Sequence, residues 1–207
     1  MILYVFLFIL LSYYYFLRPS GTSLLKNKKA INNKTSGSDV IKSIPNESIY
    51  RLTFPNIFGE KIHLLECLGR ISLVINVACN WGKTEVTYEQ IGYLLDKYPD
   101  LVILAFPSDD FHQEPGTNEE IAETVKGLLG KHLFDNPNFI LFSKSSLKVN
   151  PIYQHLSQHM NGSVVKHNFY KYLVGRDGVA VNFYDKKTEI LQFESDIKTL
   201  LESKETI

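Results

Sequence analysis

"LVINVACNWGKTEVTY", residues 73–88, changes character halfway along. It opens inside a nearly continuous apolar run, "ISLVINVA" from 71 to 78, the pattern of a strand covered by helices on both faces. "CNWGK" breaks the run. Ile91, Leu94, Leu95 and Tyr98 then fall at helical spacing, with Thr87-x-x-Gln90 as a capping box. "DLVILAF", residues 100–106, reads as a second buried strand. Strand, helix, strand predicts a parallel pair, 71–78 beside 101–106, joined by a right-handed crossover. In open α/β sheets the chemistry collects at the carboxyl ends of such strands, and "ACNWGKT" and "FPSDDF" both lie there.

Outward from this unit, "SIYRLTF" and "EKIHLLE" flank "PNIFG" as an opening hairpin. Beyond the polar loop "PSDDFHQEPGT" the pattern predicts a helix over 118–129 and a short helix in "NPIYQHLSQHM". A second hairpin, "FYKYLV" and "VAVNFY" across "GRDG", precedes a closing amphipathic helix, "FESDIKTLLES". The order β-β-β-α-β-α-β-β-α predicts an α/β sandwich of thioredoxin-like type over 46–207, a central mixed sheet flanked by helices.

The chain has 207 residues, enough for one domain and an appendage. Lys+Arg and Asp+Glu both number 22, which removes any electrostatic case for nucleic acid as partner. The two cysteines, Cys67 and Cys79, cannot form a disulfide framework, and no spacing points to zinc or another metal cofactor.

Residues 2–17, "ILYVFLFILLSYYYFL", carry no charge. As a helix they would cover roughly 24 Å of a hydrocarbon layer about 30 Å thick. They read as a signal anchor or signal peptide within 1–19, a hydrophobic helix outside the domain, followed by a flexible linker over 20–45. The expectation is a membrane-associated protein with a single N-terminal anchor or, after cleavage, one of the secretory pathway. Arg18, Lys26, Lys28 and Lys29 favour a cytosolic domain, while sequons at Asn33, Asn46 and Asn161 favour a lumenal one.

Several ordered motifs carry a family resemblance. "GKT" at 82–84, "LVILAFP" followed by "QEPG" at 113–116, "HNFYKYLVGRDG" at 167–178 and "DIKTLL" resemble a glutathione peroxidase over residues 49–201. The resemblance implies a thioredoxin-like fold and reduction of a hydroperoxide, with glutathione or thioredoxin as thiol reductant and no bound cofactor. In that chemistry a cysteine or selenocysteine anion attacks the O–O bond, and hydrogen bonds from a Gln, a Trp and an Asn favour the anion.

The chain departs from this pattern at three of the four implied positions. With Gly82 and Thr84 as anchors, the peroxidatic position is Trp81, the Gln position is Asp110 and the Trp position is His167. Asn168 is retained. Where two-cysteine relatives resolve the intermediate, this chain has Ser108 and Lys126. An indole is no nucleophile toward peroxide. A carboxylate at Asp110 is expected to oppose any nearby anion and to pair with His167.

Cys79 has two readings, a relocated peroxidatic thiol with a cationic His167 beside it, or a core cysteine ending a strand. Cys67 reads as a packing residue. His155 and His159, four apart, have a metal-binding spacing but no third ligand, and Asp109–Asp110 suits a loop turn as well as acid–base work. Trp81 is either a stacking platform, a plug in the vacated site, or a misread selenocysteine codon, since UGA and UGG differ by one base. The two functional classes are thus a peroxidase and a non-catalytic, membrane-tethered binding or scaffold protein.

Overall fold

The structure, a computed structural model, describes residues 42–158 and 160–203. The apolar stretch at 2–17, most of the linker and His159 lie outside them. Among the described residues no helix is long and apolar enough to cross a membrane.

Strands β1 (Thr53–Pro55) and β2 (Lys61–His63) form the opening antiparallel hairpin. Both are shorter than the sequence pattern, because 3-10 turns at Ile49–Arg51 and Leu64–Cys67 take over the flanking residues. Strands β3 (Ile71–Val77) and β4 (Leu101–Pro107) are parallel neighbours, in register from Ile71↔Leu101 to Val77↔Pro107. Helix α1 (Thr84–Lys97) crosses between them. Helices α2 (Asn118–Leu129) and α3 (Lys131–Phe134) lead to β5 (Phe139–Leu141), a parallel edge strand too short to stand out in the sequence. Helix α4 (Pro151–Gln158), β6 (Lys171–Val174), β7 (Ala180–Tyr184) and α5 (Glu194–Glu202) complete the chain. The main sheet runs β5-β4-β3-β6-β7, so β3 and β4 are both interior.

The continuous apolar runs follow from burial on both faces. Leu73, Ile75, Val77, Ile103 and Ala105 pack with Ile91 and Leu94 of α1, Ile121 and Val125 of α2 and Ile197 of α5. Val74, Val102, Leu104 and Phe106 face the other way, onto Ile152 and Leu156 of α4 and onto Ile49, Tyr50 and Leu64. Cys67 belongs to this second layer and Cys79 packs against the first, so the sheet separates them and both are free thiols.

The first turn of α1 differs from expectation. The helix begins at Thr84, not near Thr87, and Thr87 Oγ1 donates to Lys83 O at 2.7 Å. Gln90 reaches across the fold instead, its Oε1 accepting the N–H of Ile190 at 2.8 Å. A reciprocal capping box does occur at Thr117 and Glu120, opening α2.

The β6–β7 turn is bound to the hairpin region. Gly178 has φ 82, and a Cβ there would come within 2.2 Å of Ser48 Oγ and 2.7 Å of the Tyr50 ring. Ile49 N–H donates to Gly178 O at 2.9 Å and Ser48 Oγ to Asp177 O at 2.5 Å.

Candidate active site

β3 and β4 end together, and the loops that follow are stitched side by side. Ser108 N–H donates to Val77 O at 3.2 Å, and Asn80 N–H to Gln113 O at 3.0 Å. Thr84 holds the turn before α1: its hydroxyl donates to Ala78 O at 2.8 Å and accepts the N–H of Trp81 at 3.2 Å. That explains the small polar residue of the "GKT" motif.

A third segment, 167–170, is clipped to the same end of β3 by the fully buried amide of Asn76. Asn76 Nδ2 donates to His167 O at 3.1 Å, and Asn76 Oδ1 accepts Tyr170 N–H at 2.9 Å. Between them Phe169 adopts φ 61, a conformation rare for a bulky residue and often found where a site demands it. Asn76 was invisible as a site residue in the sequence, where it looked like a polar interruption of an apolar strand.

These three segments bring Trp81, His167 and Asn168 together. The rings of Trp81 and His167 lie 4.3 Å apart, centroid to centroid, at 51°. Phe111 is the other aromatic contact of His167, stacked on it 5.4 Å away and 3° from parallel. Lys186 Nζ sits 5.3 Å from the Trp81 ring centroid. His167 is not the cationic neighbour the sequence allowed. Its Nδ1 accepts the N–H of Asn168 at 2.8 Å, and burial, reinforced by Lys186, lowers its pKa and so disfavours the cation.

Asp110 departs further from expectation. Its carboxylate accepts the N–H of Leu147 at 2.9 Å and the hydroxyl of Ser146 at 3.1 Å. It is committed to an adjacent loop, and the pairing with His167 is absent among the described residues. Gln113, in the same loop, contacts the retained Asn. Asn168 Nδ2 donates to Gln113 Oε1 at 2.7 Å. Two buried polar atoms at this site have no partner, Trp81 Nε1 and Asn168 Oδ1. Orphaned groups of this kind concentrate where a fold once served, or still serves, a ligand.

Cys79 turns toward α2. Its N–H donates to Glu114 Oε2 at 2.7 Å, and its thiol is pushed up to about 12 by burial first and then by the Glu114 carboxylate. Glu114, 1% exposed, is itself raised by burial, while hydrogen bonds from Cys79, and then Lys144, draw it back down. Lys144 Nζ donates to Gly116 O at 2.5 Å and to Glu114 O at 3.2 Å, bracing the "QEPG" turn. That motif pointed to Glu114, but only the fold shows it facing a thiol. Among the described residues no group of three His, Cys, Asp or Glu could hold a metal ion. His155 Nδ1 lies 3.2 Å from Glu47 O, a contact between α4 and the start of the domain.

The profile of the family described as glutathione peroxidase matches residues 49–174. The chain belongs to the glutathione peroxidase family. It is 37% identical over 161 residues to "Probable glutathione peroxidase 2" of Arabidopsis thaliana, covering 75% of this chain and 94% of that one. It is 35% identical over 162 residues to "Probable phospholipid hydroperoxide glutathione peroxidase" of Citrus sinensis, covering 75% and 95%. "Glutathione peroxidase 2" of Caenorhabditis elegans is 34% identical over 163 residues, covering 76% and 98%. Among solved structures the apo form of Trgpx superposes with a TM-score of 0.57 at 23% identity, covering 75% of this chain and 97% of its own. A thioredoxin-like protein from Aeropyrum pernix superposes at 0.54 with 14% identity, covering 78% and 94%. At those identities the superpositions establish the fold, the expected thioredoxin-like α/β sandwich. The chemistry of the glutathione peroxidase family is peroxide reduction, with glutathione or thioredoxin as the thiol reductant.

Proposed function

We propose that this glutathione peroxidase family member is catalytically impaired and keeps the fold around a closed, aromatic site. One observation carries the reading: an indole tilted against the His167 imidazole, with ring centroids 4.3 Å apart, occupies the position matched to the peroxidatic residue. No thiol compensates. A thiol with a pKa of about 12 has roughly one molecule in 10⁵ ionised at pH 7, against a few per cent for an ordinary cysteine. Only the anion attacks peroxide at a useful rate. Trp81 serves in this reading as a plug, with Lys186 and Phe111 completing the cover. A tether through residues 2–17 and a non-catalytic binding or scaffold role belong to the same proposal.

The test is hydroperoxide consumption by the unmodified full chain, with a glutathione or thioredoxin regenerating system, beside a Cys79→Ser variant. Both are expected to show no turnover above background. Robust turnover that disappears with Cys79→Ser would overturn the proposal and make Cys79 the peroxidatic residue.

A further inference from the structure

Asn161-Gly162-Ser163 is an Asn-x-Ser sequon to which the peroxidase fold assigns no task. It forms a turn behind α4 in which Asn161 has φ 52 and Gly162 φ 70. The turn is held by bonds that do not involve the Asn161 side chain: Gly162 N–H donates to Ser157 O at 3.1 Å, Ser163 N–H to Met160 O at 2.9 Å and Tyr172 Oη to Ser163 O at 3.2 Å. The side chain of Asn161 is therefore not needed to keep it. Asn161 and Gly162 are both exposed, and the carboxamide of Asn161 makes no hydrogen bond among the described residues. Val164, just beyond, is 62% exposed, so the chain is open on the far side as well.

The other described sequon is built differently. Asn46 Oδ1 accepts from Arg51 Nη1 at 3.3 Å. Ser48 is fully buried, its hydroxyl donating to Asp177 O and accepting the N–H of Tyr50 at 3.2 Å. Its hydroxyl is sealed beneath the β6–β7 turn.

We propose that Asn161 is an N-glycosylation site, carrying an oligosaccharide on Nδ2. In the transfer, Nδ2 gives up a proton and bonds to the anomeric carbon of a lipid-pyrophosphate-linked oligosaccharide. The glycosyl–phosphate bond breaks, and the pyrophosphate leaves with the electron pair. The donor is a component of the secretory pathway, so the proposal commits the domain to the lumenal side, with residues 2–17 as the signal that delivers it. The site lies on the α4 layer, where Ser163 Oγ donates to Tyr172 Oη at 3.3 Å. Trp81 packs against the opposite layer, so a glycan leaves it uncovered.

The experiment expresses the full chain in eukaryotic cells and compares its mass with and without peptide N-glycosidase, mapping the released position as Asn-to-Asp conversion. Asn-to-Asp conversion at position 161 is expected for the natural chain, absent in Asn161→Gln, lost in Ser163→Ala and kept in Ser163→Thr. The threonine variant keeps a hydroxyl in the sequon and shows that the loss is not a failure to fold. A natural chain with no Asn-to-Asp conversion at position 161 overturns the assignment, whatever mass the sequon at Asn33 carries.

Discussion

The carboxamide of Asn168 donates to Gln113 Oε1 at 2.7 Å, joining the one retained residue of the family's set to an amide that the motif alignment had passed over. Asp110 is instead held by Leu147 and Ser146, so its carboxylate is already committed to hydrogen bonds in the neighbouring loop. Trp81→Cys should therefore regain measurable hydroperoxide reduction by itself. Asp110→Gln added to it should give no further gain, because that side chain is anchored in the neighbouring loop. Gln113→Ala added instead should lower the rate, because it removes the acceptor that fixes the Asn168 carboxamide. Initial rates of hydroperoxide consumption for the three variants check the order. A large gain from Asp110→Gln would restore the alignment-based view of that residue.

Cys79 should be nearly inert. Its alkylation by iodoacetamide, followed at the Cys79 peptide by mass spectrometry, is expected to have its pH midpoint above that of a free thiol. Glu114 raises the thiol pKa both by charge and by hydrogen bonding, so Glu114→Gln should move the midpoint down and speed alkylation at neutral pH. An unchanged pH profile in that variant would show that burial alone controls the thiol.

Lys171, only 2% exposed, donates to Thr188 O at 2.5 Å and Asp185 O at 3.1 Å, tying down the loop that carries Lys186. Burial lowers its pKa to about 8 from 10.5, against the opposing pull of Asp185. Between those values the unfolded chain binds more protons than the folded one, so this residue's contribution to stability rises with pH across that window. It is fully present above about 10.5 and lost as pH falls through about 8. The denaturation midpoint of the natural chain relative to Lys171→Met should climb from pH 8 to 10 and stay flat below pH 7. A flat difference throughout would mean that Lys171 keeps its ordinary pKa.

Gly178→Ala should destabilise the domain. The backbone at φ 82 alone costs an L-residue about 1–2 kcal/mol, and the added carbon would also collide with Ser48 Oγ and the Tyr50 ring. The same change at Gly59, with φ 83 but nothing within 4 Å, should show the conformational cost alone. Urea denaturation of the two variants separates the terms, and equal losses would show that the close approach relaxes freely.

The long, doubly buried strands were legible because burial on both faces removes the polar alternation that otherwise blurs strand and loop. β5, with three residues, had too little length to announce itself. At the site, motif spacing brought out Trp81, His167 and Asn168, since each lies at a fixed offset from a strand end. Side-chain direction was not legible. Whether Asp110 turns to the pocket or to Leu147 depends on how two loops pack against each other. Nor could spacing show that Cys79 and Glu114 would meet, because their approach depends on the packing of one loop against another. The nucleotides of codon 81 remain a direct check on Trp81: UGG is expected, and UGA read as selenocysteine would replace the plug by a nucleophile.

Asn76 holds the 167–170 segment through main-chain atoms alone, without touching the side chains at 81 or 110. A frame fastened in that way is indifferent to the reagents mounted on it. Residues 81, 110 and 167 can be exchanged over generations while the strand ends, the clip and the turn before α1 persist. The scaffold thereby becomes heritable independently of its reaction, and a descendant chain can be silent toward peroxide yet retain an address for new chemistry.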